Sequence, residues 1–102
     1  QDGGIVGTNQ DSRFDLWLSP SEGVAVVERS SIIFPGAKMS LETSSRFYVL
    51  RSKVADNDIT LEIDRVSEML RGSNIETKEK ETRTYWTVLL KCQSRPAKAN
   101  KF

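Results

Sequence analysis

The stretch Asp58–Arg71, DITLEIDRVSEMLR, decides the fold that the sequence predicts. Its apolar residues recur at spacings of four, three and four positions, which places them on one stripe of an amphipathic helix. They are Ile59, Ile63, Val66 and Leu70. The acidic and amide residues of 56–58 can cap the start of this helix, and Gly72 directly after Arg71 provides a stop. The sequence therefore predicts a helix of about Asp58 to Arg71.

Before this stretch the periodicity is that of strands. Apolar and polar residues alternate, and two segments rich in proline and glycine predict turns at 19–23 and 34–37. In Val24–Phe34 the polar residues ERSS interrupt the apolar run, which predicts either a bulge or a break into two strands. The predicted strands are Arg13–Ser19, Val24–Phe34 and Arg46–Ser52, the last starting as early as Leu41.

After the helix, residues 74–84 and Thr84–Cys92 predict a hairpin that turns within Lys78–Thr82. Its first arm is polar, and we expect an exposed edge strand whose lysines discourage further pairing. The predicted order is β-β-β-α-β-β, a two-layer α+β domain in which one helix covers one face of an antiparallel sheet. Residues 12–93 would form this single domain, between a flexible segment at 1–11 and a basic tail at 94–102.

The composition argues against an enzyme. The 102 residues include no histidine and one cysteine, Cys92, so the usual general base and most zinc-ligand sets are absent. We expect Cys92 to be a small core residue on an apolar strand, with a reactive thiol as the rival interpretation. No glycine-rich phosphate loop or hydrolase motif is visible, and the interleaved charges of 76–83 indicate a solvated edge. The prediction is a non-catalytic module without a cofactor or a small-molecule substrate.

The location of the protein is less constrained. No apolar run approaches the roughly 20 residues that a membrane-spanning helix needs, so we expect a soluble chain. A single cysteine slightly favours an intracellular location. The first residue is Gln1, which fits an excised domain or a processed mature chain, and a secreted chain remains the alternative.

A single helix would leave one sheet face uncovered, and the predicted function is binding of a protein partner, or of a second copy, through that face. Tryptophan and tyrosine are common anchors of such interfaces. The rival interpretation is a second small core or a sheet curled into a partial barrel. The predicted contact residues are Trp17, Val27, Tyr48, Leu50 and Leu89, with Ala25 beside them.

The alternative function is recognition of an anion, either an acidic phospholipid or single-stranded nucleic acid. The net charge of the chain is only +1, but basic residues without acidic neighbours gather near its C-terminus. Near an anionic membrane each basic residue contributes about 1 kcal/mol, so this binding would be weak. The predicted anion-binding residues are Arg51, Lys53, Lys91, Arg95, Lys98 and Lys101.

Residues 45–92 resemble the first part of the kinase-associated-1 domain, which is found at the C-terminus of some serine/threonine protein kinases. The resemblance lies in SRFYVLRSK, DITLEIDRVSEMLRGSNIE and TYWTVLLKC, taken as strand, helix with turn, and strand. It implies binding of acidic phospholipids, restraint of a kinase domain, or both.

Overall fold

The computed structural model describes residues 3–30 and 36–95, and these form a closed barrel of eight antiparallel strands. The strands follow one another around the barrel in chain order. They are β1 (Gly3–Thr8), β2 (Arg13–Ser19), β3 (Val24–Ser30), β4 (Lys38–Thr43), β5 (Phe47–Val54), β6 (Asn57–Asp64), β7 (Met69–Lys78) and β8 (Glu81–Arg95).

The first and last strands close the barrel. β1 pairs with β2 along its whole length, from Gly3 opposite Leu18 to Thr8 opposite Arg13. Its other side pairs with the end of β8, where Thr8 lies opposite Lys91. Because the sheet returns to itself, its inner face forms the core and its outer face meets solvent.

Alternation along each strand builds the core, since every second side chain points into the barrel. Leu16, Leu50, Leu61, Leu70 and Leu90 are fully buried on five different strands. The chain therefore buries its apolar residues by curling one sheet, without a second layer.

The predicted helix at Asp58–Arg71, and with it the α+β two-layer fold, is wrong. The described residues form no helix, and this stretch is β6, a turn at 65–68 and the start of β7. Ile59, Leu61 and Ile63 alternate with polar residues, so a period of two accounts for them as well as a helical period does. β-branched residues in this run also favour a strand.

The turn at 65–68 supplies the decisive local interactions. The Asp64 Oδ1 atom accepts hydrogen bonds from the backbone N–H groups of Val66 at 2.9 Å and Ser67 at 3.2 Å. Glu68 adopts a positive φ of 62°. Val66, assigned to the buried helix stripe, is 73% exposed. An aspartate-centred turn thus replaces the middle of the expected helix.

Three further expectations need correction. Part of the segment 1–11, expected to be flexible, forms β1. The third predicted strand is two strands, β4 and β5, separated by a turn at 44–46. The first arm of the last hairpin is not an edge, because β7 lies between β6 and β8.

Other local predictions are confirmed. β2 spans Arg13–Ser19 as predicted, and Gly23 in the following turn has a positive φ of 66°. The last hairpin turns at Glu79 and Lys80, inside the predicted segment, and both have positive φ as a tight hairpin turn requires. Gly36 has a φ of 86°, while Phe34 and Pro35 of the predicted type II turn lie outside the described residues, as does the end of the predicted strand Val24–Phe34.

The barrel has two ends. The upper end carries the turns at 20–23, 44–46 and 65–68, and the lower end carries those at 9–12, 55–56 and 79–80. β8 is the longest strand and extends toward the lower end beyond β1, which pairs only with its last five residues. Among the described residues, 82–90 of β8 therefore pair with β7 alone, and we call this segment the open edge.

Candidate functional site

The residues predicted to form a protein interface do not lie on one surface. Val27 and Leu50 are fully buried inside the barrel, together with the half-buried Tyr48 on its inner face. Trp17 is half-buried on the outer face, and Leu89 is exposed on the outer face of β8. Ala25 is buried because it lies opposite Leu18 and shares its inward direction. The outer cross-strand neighbour of Trp17 is Val26.

Two of the residues predicted to bind anions lie beside acidic side chains. Arg51 forms an ion pair with Glu42, and Lys53 lies opposite Asp58 on the neighbouring strand. Lys91 is exposed on β8, and the backbone of Arg95 ends that strand. Lys98 and Lys101 lie outside the described residues. Within the described part of the chain, the predicted cations therefore do not gather into one basic patch.

A depression of about 230 Å³ opens at the upper end of the barrel, between the turn at 65–68 and β8. The Arg65 guanidinium lies 4.5 Å from the centre of the Tyr48 ring and donates a hydrogen bond to the Ser44 carbonyl oxygen at 2.6 Å. Asp64 is held by Arg46, whose guanidinium donates to it at 2.9 Å. This hydrogen bond, followed by that from the Val66 N–H, holds the pKa of Asp64 well below its ordinary value. These contacts tie the upper turn to the barrel wall.

Cys92 lies beneath this depression and is a buried free thiol, as predicted. Burial raises the pKa of its thiol to about 11, and the negative charge of Glu68 adds to the shift. The thiolate is the reactive form of cysteine, so a raised pKa and restricted access both disfavour reaction at neutral pH. The position of Cys92 is explained by packing of its side chain in the core.

The open edge of β8 displays exposed apolar side chains. Tyr85 is 62% exposed and Leu89 is 54% exposed. A bulge opposite the junction of Asn74 and Ile75 leaves Tyr85 as the extra residue of β8. The Leu89 carbonyl oxygen accepts a hydrogen bond from the Asn9 side chain at 3.1 Å, which shows that it points away from β7. Unpaired backbone groups along such an edge can pair with another strand.

The described residues leave a space at the lower end of the barrel. A cavity of about 250 Å³, here called the lower cavity, lies against the inner sides of β4, β5 and β6. It is lined by side chains that include Ala37, Met39, Ser52, Val54 and Ile59. Most of these side chains are apolar, and Ser52 carries a hydroxyl group.

Two buried amides lie beside Ile59, one of the residues that line the lower cavity. Asn74 is only 7% exposed, and its Oδ1 atom has no hydrogen-bond partner. The Oδ1 atom of Asn57 is likewise buried without a partner. A buried acceptor left unsatisfied costs about 1–3 kcal/mol, so native structures contain few of them. Neither asparagine is among the described residues that line the lower cavity, so the two oxygens lie within the packed wall of the barrel.

The sequence analysis did not identify Asn74 or Asn57. A signal was available for Asn74, because Leu70, Gly72 and Asn74 alternate on the inner face of β7. Once the segment 69–78 is taken as a strand, a polar residue falls at an inward position. The predicted helix hid this alternation.

Comparisons of the chain with protein-family models, with curated proteins and with solved structures found no match. The resemblance of residues 45–92 to the kinase-associated-1 domain stays a prediction, and where it implied a helix the structure has strands. Residues 3–30 and 36–95 contain no helix long and apolar enough to cross a membrane. The same residues gather no cluster of three or more acidic or cysteine side chains that could hold a metal ion.

Proposed function

We propose that this chain is a non-catalytic interaction module that self-associates through the open edge of β8. The observation that carries the proposal is the segment 82–90, which pairs on one side only and exposes Tyr85 and Leu89. Addition of a strand at a sheet edge is a common mode of protein recognition, in which backbone hydrogen bonds supply affinity and side chains supply specificity.

A second copy of this chain fits the edge by its own symmetry. Two β8 strands that pair antiparallel about a two-fold axis at Thr87 place Tyr85 of each copy opposite Leu89 of the other. Each exposed apolar side chain of the edge then packs against its cross-strand neighbour and loses part of its contact with water, which favours association. An aromatic residue opposite an aliphatic one is a favourable cross-strand pair.

The charges near the edge permit this arrangement. The two-fold pairing is confined to Tyr85–Leu89, because β1 already pairs with the same side of β8 from Lys91 onward. At Leu89 it replaces the hydrogen bond that the carbonyl oxygen accepts from Asn9. Arg83 lies beyond the paired segment and forms an ion pair with Glu76 at 3.1 Å. The interface would depend on apolar contact and backbone pairing, so added salt should weaken it little, whereas binding through phosphates weakens steeply with ionic strength.

Sedimentation equilibrium over a range of protein concentrations tests the proposal. We expect a concentration-dependent dimer that Tyr85→Ser and Leu89→Ser each weaken. Val66→Ser is the matched control, because Val66 is an even more exposed apolar residue on the turn at the upper end. A strict monomer at millimolar concentration, or equal weakening by the control, would contradict the proposal.

A cysteine placed at the two-fold axis provides a direct test of the register. Thr87→Cys should form a disulfide-linked dimer under mild oxidation, since the two introduced thiols face each other. Ser40→Cys, exposed on β4, is the control and should cross-link only at the rate of random collision. Equal cross-linking of the two variants would exclude this register.

A further inference from the structure

We infer that the Asn9 side chain regulates self-association, because it competes with the second copy for the Leu89 carbonyl oxygen of the open edge. The inference rests on the proposed function, since it concerns the same edge. We call the Asn9 side chain the edge cap. Three observations carry the inference: the hydrogen bond from Asn9 to Leu89, the bonds that orient the Asn9 amide, and the residue at which β1 stops pairing with β8.

The edge cap is held in one orientation by its own turn. The Asn9 Oδ1 atom accepts hydrogen bonds from the backbone N–H groups of Asp11 and Ser12, both at 2.7 Å. The Asn9 backbone N–H donates to the Ser12 carbonyl oxygen at 3.0 Å and closes the turn. Because the amide oxygen faces the turn, the NH2 group faces the edge, where it donates to the Leu89 carbonyl oxygen at 3.1 Å. The turn itself therefore holds the donor in place.

The edge cap takes the place of a further residue of β1. β1 pairs with β8 as far as Thr8 opposite Lys91, and the chain then turns away. In an antiparallel ladder hydrogen-bonded pairs recur at every second residue, so the next pair would join Gln10 to Leu89. The Asn9 side chain supplies that hydrogen bond instead of a backbone N–H group. It satisfies one acceptor of the edge without extending β1 along it.

The edge cap and a second copy need the same space. The Asn9 amide nitrogen lies 3.1 Å from the Leu89 oxygen. A backbone nitrogen of a pairing strand would lie about 2.9–3.0 Å from the same oxygen, on the same open side. Association therefore displaces two caps, one in each copy. A hydrogen bond between neutral groups changes an equilibrium by about two- to tenfold, so the caps weaken the dimer without preventing it.

Asn9→Asp removes the donor and keeps the turn. The carboxylate still offers an oxygen to the N–H groups of Asp11 and Ser12, but it cannot donate to Leu89. Gln10→Glu is the matched control, because it adds the same charge at an exposed position of the same turn. In sedimentation equilibrium we expect the dissociation constant of Asn9→Asp to be at least about fivefold lower than that of the wild type, because two caps are lost per dimer. Gln10→Glu should not lower it.

The carbonyl carbon NMR signal of Leu89 tests the edge cap in the monomer, at protein concentrations too low for association. Loss of the hydrogen bond should shift this signal in Asn9→Asp. Asn9→Ser should shift it as well, because the serine hydroxyl is too short to reach Leu89. Gln10→Glu should leave the signal where it is in the wild type. An unchanged signal in both Asn9 variants would overturn the inference.

The outcomes of sedimentation separate the edge cap from the dimer. A wild type that stays monomeric while Asn9→Asp associates supports the cap and contradicts the proposed function. Equal dissociation constants for Asn9→Asp and the wild type overturn the cap and leave the dimer in place, as does an equal effect of Gln10→Glu. If none of the chains associates at millimolar concentration, the cap and the dimer are both wrong.

Discussion

The middle of the barrel and its lower end are built from the same strands, but their inward-facing side chains differ in how completely they are buried. On β5, Leu50 is fully buried and Val54 is 45% exposed, although both point inward. On β6 and β7, the fully buried Leu61 and Leu70 give way at the lower end to Asn57 and Asn74. Among the described residues, the apolar packing of the middle is therefore not continued at the lower end.

The two regions therefore differ in how much their side chains contribute to stability. A small barrel filled by its side chains is a packed core. The unpartnered amides lower stability at the lower end, where the middle of the barrel can support the cost.

Two truncations on β5 give the largest test of this comparison. Leu50→Ala should lower the free energy of unfolding by about 2–5 kcal/mol, because it opens a cavity in a fully packed core. Val54→Ala should cost only about 0.5 kcal/mol, as surface substitutions usually do. Chemical denaturation, with the midpoint and slope compared between variants, measures both. Equal losses would show that the lower end is packed like the middle.

Two glycines provide a sharper test of packing in the middle of the barrel. A Cβ atom at Gly72 would lie 2.7 Å from Leu61 Cδ2 and 3.0 Å from Val88 Cγ2, both on buried or half-buried side chains. Gly72→Ala should therefore cost about 1–3 kcal/mol through overpacking.

Gly7→Ala is the control for that substitution. Its Cβ atom would meet Leu70 and Cys92 at 3.4 and 3.5 Å, which are ordinary contacts. We expect a change within about 0.5 kcal/mol, helped by reduced freedom of the unfolded chain. Thermal unfolding of the two variants compares them, and a larger loss for Gly7→Ala would reverse the argument.

Part of this fold could be predicted from local sequence. The strand Arg13–Ser19 and the hairpin turn near Glu79 could be predicted, because period-two alternation and turn residues depend on only a few neighbouring positions. The segment Asp58–Arg71 was not, because a spacing of four residues, as between Ile59 and Ile63, satisfies helical and strand periods at once. Leu61 and the aspartate-centred turn favour two strands over a helix. Their contribution is evident only once the neighbouring strands β5 and β8 are in place.

The residues of the candidate sites could be predicted from the sequence less well than the fold. Leu89 was predicted to be a contact residue and is exposed, whereas Val27 and Leu50 were predicted on the same surface but are buried, since closure of the barrel turns their face inward. Neither the extension of β8 beyond β1 nor the position of Asn74 opposite Ile59 is a local property. Both follow from the register around the whole barrel.

The smallest effect we predict concerns the turn at 65–68 at the upper end. This turn is held to the barrel by hydrogen bonds, whereas the described residues leave a space at the lower end. Asp64→Asn keeps a side-chain oxygen for the backbone N–H groups of the turn but removes the charge that Arg46 binds. The folded chain holds the pKa of Asp64 below its unfolded value of about 3.9, so the stabilisation is complete above that pH and is lost as pH falls toward the folded pKa. The wild type should therefore melt at a modestly higher temperature than the variant at pH 7, and this difference should shrink below about pH 4. Glu42→Gln, which removes the exposed partner of Arg51, should have little effect at any pH. A gap between wild type and Asp64→Asn that stays constant down to pH 2 would show that the charge of Asp64 does not stabilise the turn.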